Sequence, residues 1–238
     1  VYSTGVPVRG IAISRPNGYY IAAGSHNSKL YLFDRDGSKI WEKSIPITSN
    51  GWGRSTDSVD ISSDDPSVIS DGGPFTVAGG YDDRVYLFDR NGRQLWNYNT
   101  GSDVYSVAIS YFGDKIVCGA GSRVYYFTRD RGIPKWSYDV GAKIHHIAIS
   151  GDGEYVVTGD YDGGVHLFSS DGTKIWSYYS YSSDIARVDI SLDGNNIVAG
   201  TDDMSDTHGC RLFYFSSSKD GNPEWNSCLL YTSPSPRD

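Results

Sequence analysis

The sequence predicts an all-β chain that folds as a β-propeller of four-stranded antiparallel blades, with about five blades present in an incomplete ring. An Ile-Ser pair closes an apolar run five times, at spacings of 40 to 48 residues. After each pair come an apolar run ending in Gly, an alternating aromatic run and a Trp. A period of this length with four strands in each unit is typical of propellers.

The first two strands of each repeat, which we name a and b, are predicted from the two apolar runs. Strand a ends at the serine of the Ile-Ser pair: Ser14, Ser62, Ser110, Ser150 and Ser191. Strand b ends at a glycine: Gly24, Gly79, Gly119, Gly159 and Gly200. The loop between them often pairs Asp or Asn with Gly, as at Asp152-Gly153, which favours a tight turn.

Strands c and d follow from the aromatic run and the Trp. The aromatic runs lie at 30–33, 85–88, 124–127, 165–168 and 212–215. The tryptophans are Trp41, Trp96, Trp136, Trp176 and Trp225. A single twisted sheet cannot bury both of its faces, so we expect neighbouring units to stack face to face around an axis.

The repeat boundaries predict five blades and a tail. We expect the blades at about 8–46, 57–100, 104–140, 144–180 and 186–227, and a non-repeat tail at 228–238 that is disordered or read-through sequence. Residues 2–14 align with 98–110, but no Trp precedes Tyr2 as Trp96 precedes Tyr98. We therefore expect the chain to be a fragment, with the rest of the propeller missing; a closed ring of five blades is the alternative.

One segment carries a family resemblance. FDRDGSKIW at 33–41 recurs as FDRNGRQLW at 88–96 and FSSDGTKIW at 168–176. This segment resembles the repeat of quinoprotein-type, pyrroloquinoline-quinone-like propellers, in which a turn containing Gly precedes a Trp that docks between blades. Residues 147–168 equally resemble Trp-Asp repeat propellers. The resemblance covers nearly all of 2–227 and implies the fold; such repeats occur in quinone-dependent dehydrogenases and in outer-membrane assembly scaffolds.

Composition excludes some functions and leaves others open. The net charge is −8 and no basic run is present, which argues against nucleic-acid binding. No stretch approaches 18 apolar residues, so no membrane span is predicted. We expect Cys118 to be a buried thiol, whereas Cys210 and Cys228 flank a hairpin and a disulfide between them stays open. The Ser, Tyr, Gly and Asn content favours an extracytoplasmic location, periplasmic or at the cell surface.

We expect ligands to bind at the mouth of the channel that strand a lines. The positions four and five residues before each strand-a serine vary among repeats, unlike the rest of the pattern. Trp52 lies outside the repeat pattern and, with Arg54, is of the residue types that dominate binding hot spots; a Trp on the blade surface is the alternative. Tyr181 lies in a Tyr/Ser-rich loop, where an ordinary strand end is the alternative. The candidate binding residues are Trp52, Arg54, Asp57, Tyr105, His145, His146, Tyr181 and Arg187.

No catalytic residue, metal site or cofactor is predicted. His145 and His146 are adjacent on a strand and should point to opposite faces, so they cannot easily share an ion. Asp60 and Asp189 replace an alanine of the repeat, and we expect them to bond to neighbouring backbone or hydroxyl groups. The sequence thus predicts a noncatalytic binding or scaffolding module for a protein, peptide or glycan. The alternative is a fragment of a quinone-dependent dehydrogenase-type enzyme whose catalytic residues lie outside this chain.

Overall fold

The computed structural model describes residues 2–45, 56, 58–69, 72–180, 184–202 and 210–229. These residues form twenty β-strands and no helix. Within the same ranges there is consequently no helix of the length and hydropathy needed to cross a membrane. The predicted all-β class is confirmed.

The strands form five separate sheets of four antiparallel strands, each in sequence order. Blade 1 comprises β1 (Val8–Ile13), β2 (Tyr20–Ser25), β3 (Lys29–Asp34) and β4 (Lys39–Ser44). Blade 2 comprises β5 (Ser58–Ile61), β6 (Thr76–Gly79), β7 (Arg84–Phe88) and β8 (Gln94–Asn99). Blade 3 comprises β9 (Val104–Ile109), β10 (Lys115–Ala120), β11 (Arg123–Thr128) and β12 (Trp136–Asp139). Blade 4 comprises β13 (Ile144–Ile149), β14 (Tyr155–Asp160), β15 (Gly164–Ser169) and β16 (Lys174–Tyr179). Blade 5 comprises β17 (Ile185–Ile190), β18 (Asn196–Thr201), β19 (Cys210–Ser216) and β20 (Trp225–Leu229).

The last strand includes the first two residues of the segment expected to lie outside the repeat. Cys228 pairs with Arg211, and Leu229 pairs with Cys210. The two cysteines are therefore not directly opposite each other in the ladder, and their side chains lie outside the described part of the chain. Cys118, in contrast, is a fully buried free thiol of blade 3.

Each of the first four tryptophans crosses to the next blade, as the resemblance implied. The indole N–H of Trp41 donates to the carbonyl of Arg90 at 2.9 Å, and that of Trp136 donates to the carbonyl of Ser170 at 3.0 Å. A Cβ placed on Gly92 or Gly172 of the receiving c–d turn would lie 2.9 Å from the indole ring. These turns need glycine for the close approach as well as for their positive φ. We call this arrangement the tryptophan contact.

The glycine at or next to the end of strand b forms a second contact between blades. A Cβ on Gly79 would lie 2.4 Å from Val104, and one on Gly159 would lie 2.3 Å from Ile185. The same place on Gly119 is closed by Ile144. Strand b therefore carries glycine because the apolar side chains of the next strand a pack directly against its backbone. We call this arrangement the strand-b glycine contact.

Backbone hydrogen bonds also join the blades, just after strand a. The amide of Ser63 donates to the carbonyl of Tyr111 at 3.0 Å, and the amide of Tyr111 donates to the carbonyl of Gly151 at 2.9 Å. The amide of Gly151 donates in turn to the carbonyl of Leu192, also at 2.9 Å. The residue after each strand-a serine thus links three consecutive junctions, which holds the inner strands at one height around the channel.

The five blades do not close into a ring. Inner strands pack in the order β1, β5, β9, β13 and β17, and among the described strands β17 makes no comparable contact with β1. The outer faces of blades 1 and 5 are consequently uncovered: Ile11 is 74% exposed and Trp225 is 47% exposed. The predicted incomplete ring agrees with this arrangement.

Candidate functional site

The channel has two different mouths. Each strand a runs from the end where the d–a loops and b–c turns meet, which we call the b–c mouth, to the a–b loops at the opposite end. The candidate residues Tyr105, His145 and Arg187 lie near the start of strand a and therefore at the b–c mouth. Loops carried on such a rigid scaffold are where binding residues concentrate.

A β-bulge occurs near the start of strand a in four blades. In blade 3, Ser106 pairs with Gly119 and Val104 pairs with Ala120, so the register of the ladder shifts across Tyr105. The same register shift occurs at Arg9, His145 and Ala186. These are the positions five residues before the strand-a serine, which sequence variation had indicated. A bulge redirects its side chain away from the regular pleat, so these positions are freed from the packing that constrains the repeat.

The side chains at the b–c mouth form a continuous row across blades 2 to 4. The rings of Tyr81 and Tyr105 are 5.7 Å apart and nearly perpendicular. The ammonium group of Lys143 lies 3.9 Å from the ring centre of Tyr105 and 5.1 Å from that of Tyr161. The ring of His145 lies 4.6 Å from that of Tyr161. We call these five residues the aromatic row; ring–ring and cation–π contacts of this kind stabilise and orient its members.

The aromatic row borders a depression that contains acidic and hydroxyl groups. Its lining comprises Asp83, Ser102, Asp103, Tyr105, Gly121, Ser122 and Lys143. The phenol of Tyr105 donates to Asp103 at 3.0 Å, which fixes the ring at the edge of the depression. Lys143 is exposed and supplies a positive charge beside the carboxylates. The site therefore offers apolar rings together with both signs of charge.

The two adjacent histidines have different surroundings. Burial and the charge of Arg187 lower the pKa of His145, whose ring contacts that of Tyr161 at an angle of 34°. Burial, followed by the charge of Arg187, lowers the pKa of His146 to about 4. The Nδ1–H of His146 donates to the carbonyl of Val188 in blade 5 at 3.0 Å. The structure thus brings His145 into the aromatic row, whereas His146 bridges two blades.

His146 is one of three side chains that serve the same purpose. The amide of Val107 donates to Ser58 Oγ at 2.8 Å, and the amide of Ile147 donates to Ser106 Oγ at 3.1 Å. Ser58, Ser106 and His146 stand four residues before the strand-a serine and reach the inner strand of the next blade. The sequence does not predict this role, because neither Ser nor His is specific for it. Arg187, at the equivalent place in blade 5, is exposed and donates to the carbonyl of Ala186 at 2.8 Å.

A cavity of about 390 Å³ lies among the inner strands and the a–b loops. Its lining includes the ionisable groups of Arg15, Asp60, Tyr111, His146 and Asp189. Asp60 accepts hydrogen bonds from the amides of Ile61 at 2.8 Å and Ile109 at 2.9 Å, as expected for a structural carboxylate. Burial raises the pKa of Asp60 to about 6 despite these bonds. The acidic group therefore holds blade 2 against blade 3.

Blade 4 contains a buried chain of hydrogen-bonded side chains that the sequence pattern does not predict. Nε2 of His166 lies 2.8 Å from Asp160 Oδ2, and its Nδ1 lies 2.8 Å from Ser177 Oγ. The other oxygen of Asp160 accepts from the amides of Asp162 at 2.9 Å and Gly164 at 2.8 Å. The connectivity is that of a Ser-His-Asp triad, but Asp160 and His166 are each 1% exposed, so neither is open to a substrate. These hydrogen-bonded side chains hold the b–c turn together across three strands.

Other predicted site residues fall outside the part of the chain that the structure describes. Trp52, Arg54, Asp57 and Tyr181 belong to this group. Within the described ranges, no three or more His, Cys, Asp or Glu side chains are grouped so that they could hold a metal ion.

Comparison with known proteins identifies the family. Curated proteins give no match to the chain. A family model described as outer membrane protein assembly factor BamB matches residues 81–234, which is well over half of the 238 residues. The match begins in blade 2 at Tyr81, a member of the aromatic row, and extends through blade 5. The chain therefore belongs to the BamB family of outer membrane protein assembly factors.

Proposed function

We propose that this chain is a noncatalytic scaffold that binds a polypeptide segment of another protein at the b–c mouth. The observation that carries the proposal is the aromatic row, Tyr81, Tyr105, Lys143, Tyr161 and His145, which crosses three blades without interruption. Tyrosine supplies large, rigid contact area with a hydrogen-bonding group at its end, which suits recognition surfaces.

The arrangement of the row favours a polypeptide as the ligand. Lys143 contacts the ring of Tyr105, and His145 contacts the ring of Tyr161, so both tyrosine rings are held in place before a ligand binds. Lys143 and Asp83 offer charges of opposite sign within the adjoining depression. An extended segment that alternates apolar and polar side chains matches such a surface. A glycan would use the same rings, and the test below separates the two.

We further propose that neighbouring loops extend the surface. Trp52, Arg54 and Asp57 lie between strand d of blade 1 and strand a of blade 2, and Tyr181 lies between the corresponding strands of blades 4 and 5. The described strands on either side of these segments end and begin at the b–c mouth. Their Trp, Arg and Tyr side chains are the types that contribute most to binding energy.

The family description supports a protein partner and a location. It names a factor in the assembly of outer membrane proteins. For this chain we propose a partner among the proteins of that process and an extracytoplasmic location, periplasmic or at the cell surface.

The proposal is tested by titrating the chain with two kinds of probe. One is a panel of synthetic peptides with alternating aromatic residues, as in transmembrane β-strands; the other is a panel of soluble oligosaccharides. We expect a peptide to bind, and Tyr105→Ala or Tyr161→Ala to weaken it about tenfold. Tyr19→Ala is the control, because Tyr19 is an exposed tyrosine of an a–b loop at the other mouth.

Each other outcome has a definite meaning. Peptide binding that both row variants leave unchanged contradicts the site. Oligosaccharide binding lost in the same variants supports the glycan alternative. A rise in Tm on adding pyrroloquinoline quinone and Ca²⁺ supports the enzyme alternative instead.

A further inference from the structure

The ammonium group of Lys143 contacts two tyrosine rings of the aromatic row. Its Nζ is 3.9 Å from the ring centre of Tyr105 in blade 3 and 5.1 Å from that of Tyr161 in blade 4. Both distances are those of a cation–π contact, in which the electron-rich face of a ring attracts a positive charge. We call the two rings the tyrosine cage. In the free chain, the cage holds a cation that the chain itself supplies.

The cage is held in shape by contacts that do not involve Lys143. The phenol of Tyr105 donates to Asp103 at 3.0 Å, and the ring of Tyr161 contacts that of His145. The side chain of Lys143 is exposed, and among the described residues it forms neither an ion pair nor a hydrogen bond. A cation–π contact at an exposed site is weak. A ligand can therefore displace this ammonium group while the rings stay in place.

A glycine in blade 3 leaves space beside the cage. The residue two positions after the strand-b glycine is Tyr81 in blade 2 and Tyr161 in blade 4, but it is Gly121 in blade 3. Gly121 lines the depression that the aromatic row borders. A Cβ there would lie 3.1 Å from the hydroxyl of Ser102 on the opposite side. The glycine thus keeps the depression open for a side chain that comes from outside.

The charges around the cage attract a cation. The described lining of the depression contains two carboxylates, Asp83 and Asp103, and one ammonium group, that of Lys143. Neither carboxylate forms an ion pair within the described part of the chain. The repeat position of Lys143 is occupied by Asp103 in blade 3 and by Asp184 in blade 5. When the side chain of Lys143 moves away, the depression offers two negative charges beside two electron-rich rings.

We propose that the tyrosine cage is a subsite for a lysine or arginine side chain of the bound polypeptide, and that Lys143 is the intramolecular competitor that this side chain displaces. The inference rests on the proposed function, because it specifies which ligand residue the b–c mouth selects. The cation of the ligand contacts the rings of Tyr105 and Tyr161 and pairs with the carboxylates of the depression. Lysine and arginine both carry a positive charge on a long apolar stem, which is the chemistry that the cage requires.

The first test varies one residue of the ligand. The peptide of the panel above that binds best is synthesised with lysine, norleucine or glutamate at each polar position in turn. Norleucine keeps the apolar stem of lysine and removes its charge. At one position we expect the lysine form to bind the wild type about three- to tenfold more tightly than the norleucine form, and the glutamate form to bind most weakly.

The variant Lys143→Met separates a competitor from a ligand contact. Methionine removes the charge at an exposed position, so the denaturation midpoint should stay that of the wild type. We expect the variant to bind the lysine form about two- to fivefold more tightly than the wild type does, because the cage is vacant. Lys174→Met is the control. It changes the net charge equally and removes an ammonium group 5.4 Å from the ring centre of Tyr138, but it lies at the start of strand d, away from the b–c mouth.

A blocked lysine tests the cage apart from any peptide. Nα-acetyl-lysine methylamide at millimolar concentrations should shift the ring NMR signals of Tyr105 and Tyr161. The shift should reach its midpoint at a lower concentration in Lys143→Met than in the wild type or in Lys174→Met. Equal midpoints in Lys143→Met and the wild type, or no shift in either, overturn the proposal.

The peptide results divide in the same way. Equal binding of the lysine and norleucine forms at every position overturns the cage and leaves the peptide site of the proposed function standing. Weaker binding of the lysine form by Lys143→Met also overturns it, since Lys143 is then a contact of the ligand and not its competitor. If no peptide of the panel binds, the proposed function fails, and the blocked lysine alone decides whether the cage accepts a cation.

Discussion

Trp41 and Trp225 occupy the same place in the repeat but have different surroundings. Trp41 is 8% exposed, donates its indole N–H to Arg90 at 2.9 Å and lies against Gly92 of blade 2. Trp225 is 47% exposed and stacks on Tyr214 of its own blade, with ring centres 5.6 Å apart. The comparison shows that a blade motif is half of an interface. Its contribution to stability depends on whether a neighbour supplies the other half.

The largest expected difference comes from removing the two indoles. Trp41→Ala should lower the free energy of unfolding by about 3–5 kcal/mol, because it leaves a cavity between blades 1 and 2. Trp225→Ala should lower it by less than about 1 kcal/mol, because this ring is already half in water. Urea denaturation followed by circular dichroism, at low protein concentration, measures both. Equal losses would contradict the comparison.

The turn glycines provide a second matched pair. Gly172 has φ +94° and Gly37 has φ +85°, so an alanine is strained at either place. Only at Gly172 would the Cβ also lie 2.9 Å from Trp136. We expect Gly172→Ala to cost about 2–4 kcal/mol and Gly37→Ala about 1–2 kcal/mol in unfolding free energy. A Gly37→Ala cost as large as that of Gly172→Ala would mean that the backbone, and not the neighbouring ring, requires glycine.

The junction between blades 4 and 5 should differ from the others in its response to pH. The pKa of His146 is about 4 in the folded chain and about 6.5 in an unfolded one, so the unfolded state binds the proton first. Its contribution to stability is therefore complete above pH 6.5 and is lost as the pH falls towards 4. Asp60, with a folded pKa of about 6, acts in the opposite direction, because its stability contribution falls as the pH rises from 4 to 6.

His146→Ser isolates the histidine, because serine serves at the two preceding junctions through Ser58 and Ser106. The variant and the wild type should be similar at pH 7. At pH 5 the variant should gain about 1–2 kcal/mol relative to the wild type, because it has no group there to protonate. Urea denaturation at both pH values measures the change, and Asp60 cancels because both chains contain it. A difference that is constant with pH would contradict the assignment.

The smallest expected effect compares Ser106 with Arg187. Ser106 is buried and accepts from the amide of Ile147, so Ser106→Ala should cost about 1 kcal/mol through an unpaired donor. Arg187→Ala should change the stability by less than about 0.5 kcal/mol, because the side chain is exposed on blade 5. Thermal denaturation of the two variants is sufficient to rank them. A larger loss of stability for Arg187→Ala than for Ser106→Ala would show that Arg187 makes a stabilising contact.

Much of the fold was predictable because the same physical constraints recur in each of the five repeats. The alternation of LYLF at 30–33 and the Asp-Gly turns specify strand and hairpin locally. The docking of Trp41, Trp96, Trp136 and Trp176 between blades follows from the resemblance and is confirmed. The positions four and five residues before the strand-a serine were singled out only because they vary among the repeats. The residue types do not show that the position five residues before the serine is bulged. They also do not show that the position four residues before it bridges two blades, since Ser58, Ser106 and His146 share no motif.

The aromatic row marks the limit of sequence reasoning at the candidate site. Tyr105 and His145 were predicted, but Tyr81, Lys143 and Tyr161 were not, because they belong to turns and loops far apart in the chain. The amino-acid sequence by itself determined five antiparallel sheets, their turns and the residues able to join them. The tertiary structure decided which of those residues meet a partner, which bulged side chains converge at the b–c mouth, and which two faces stay open. Local patterns act over a few residues along the chain, whereas burial and convergence depend on neighbours that only the packing of whole blades provides.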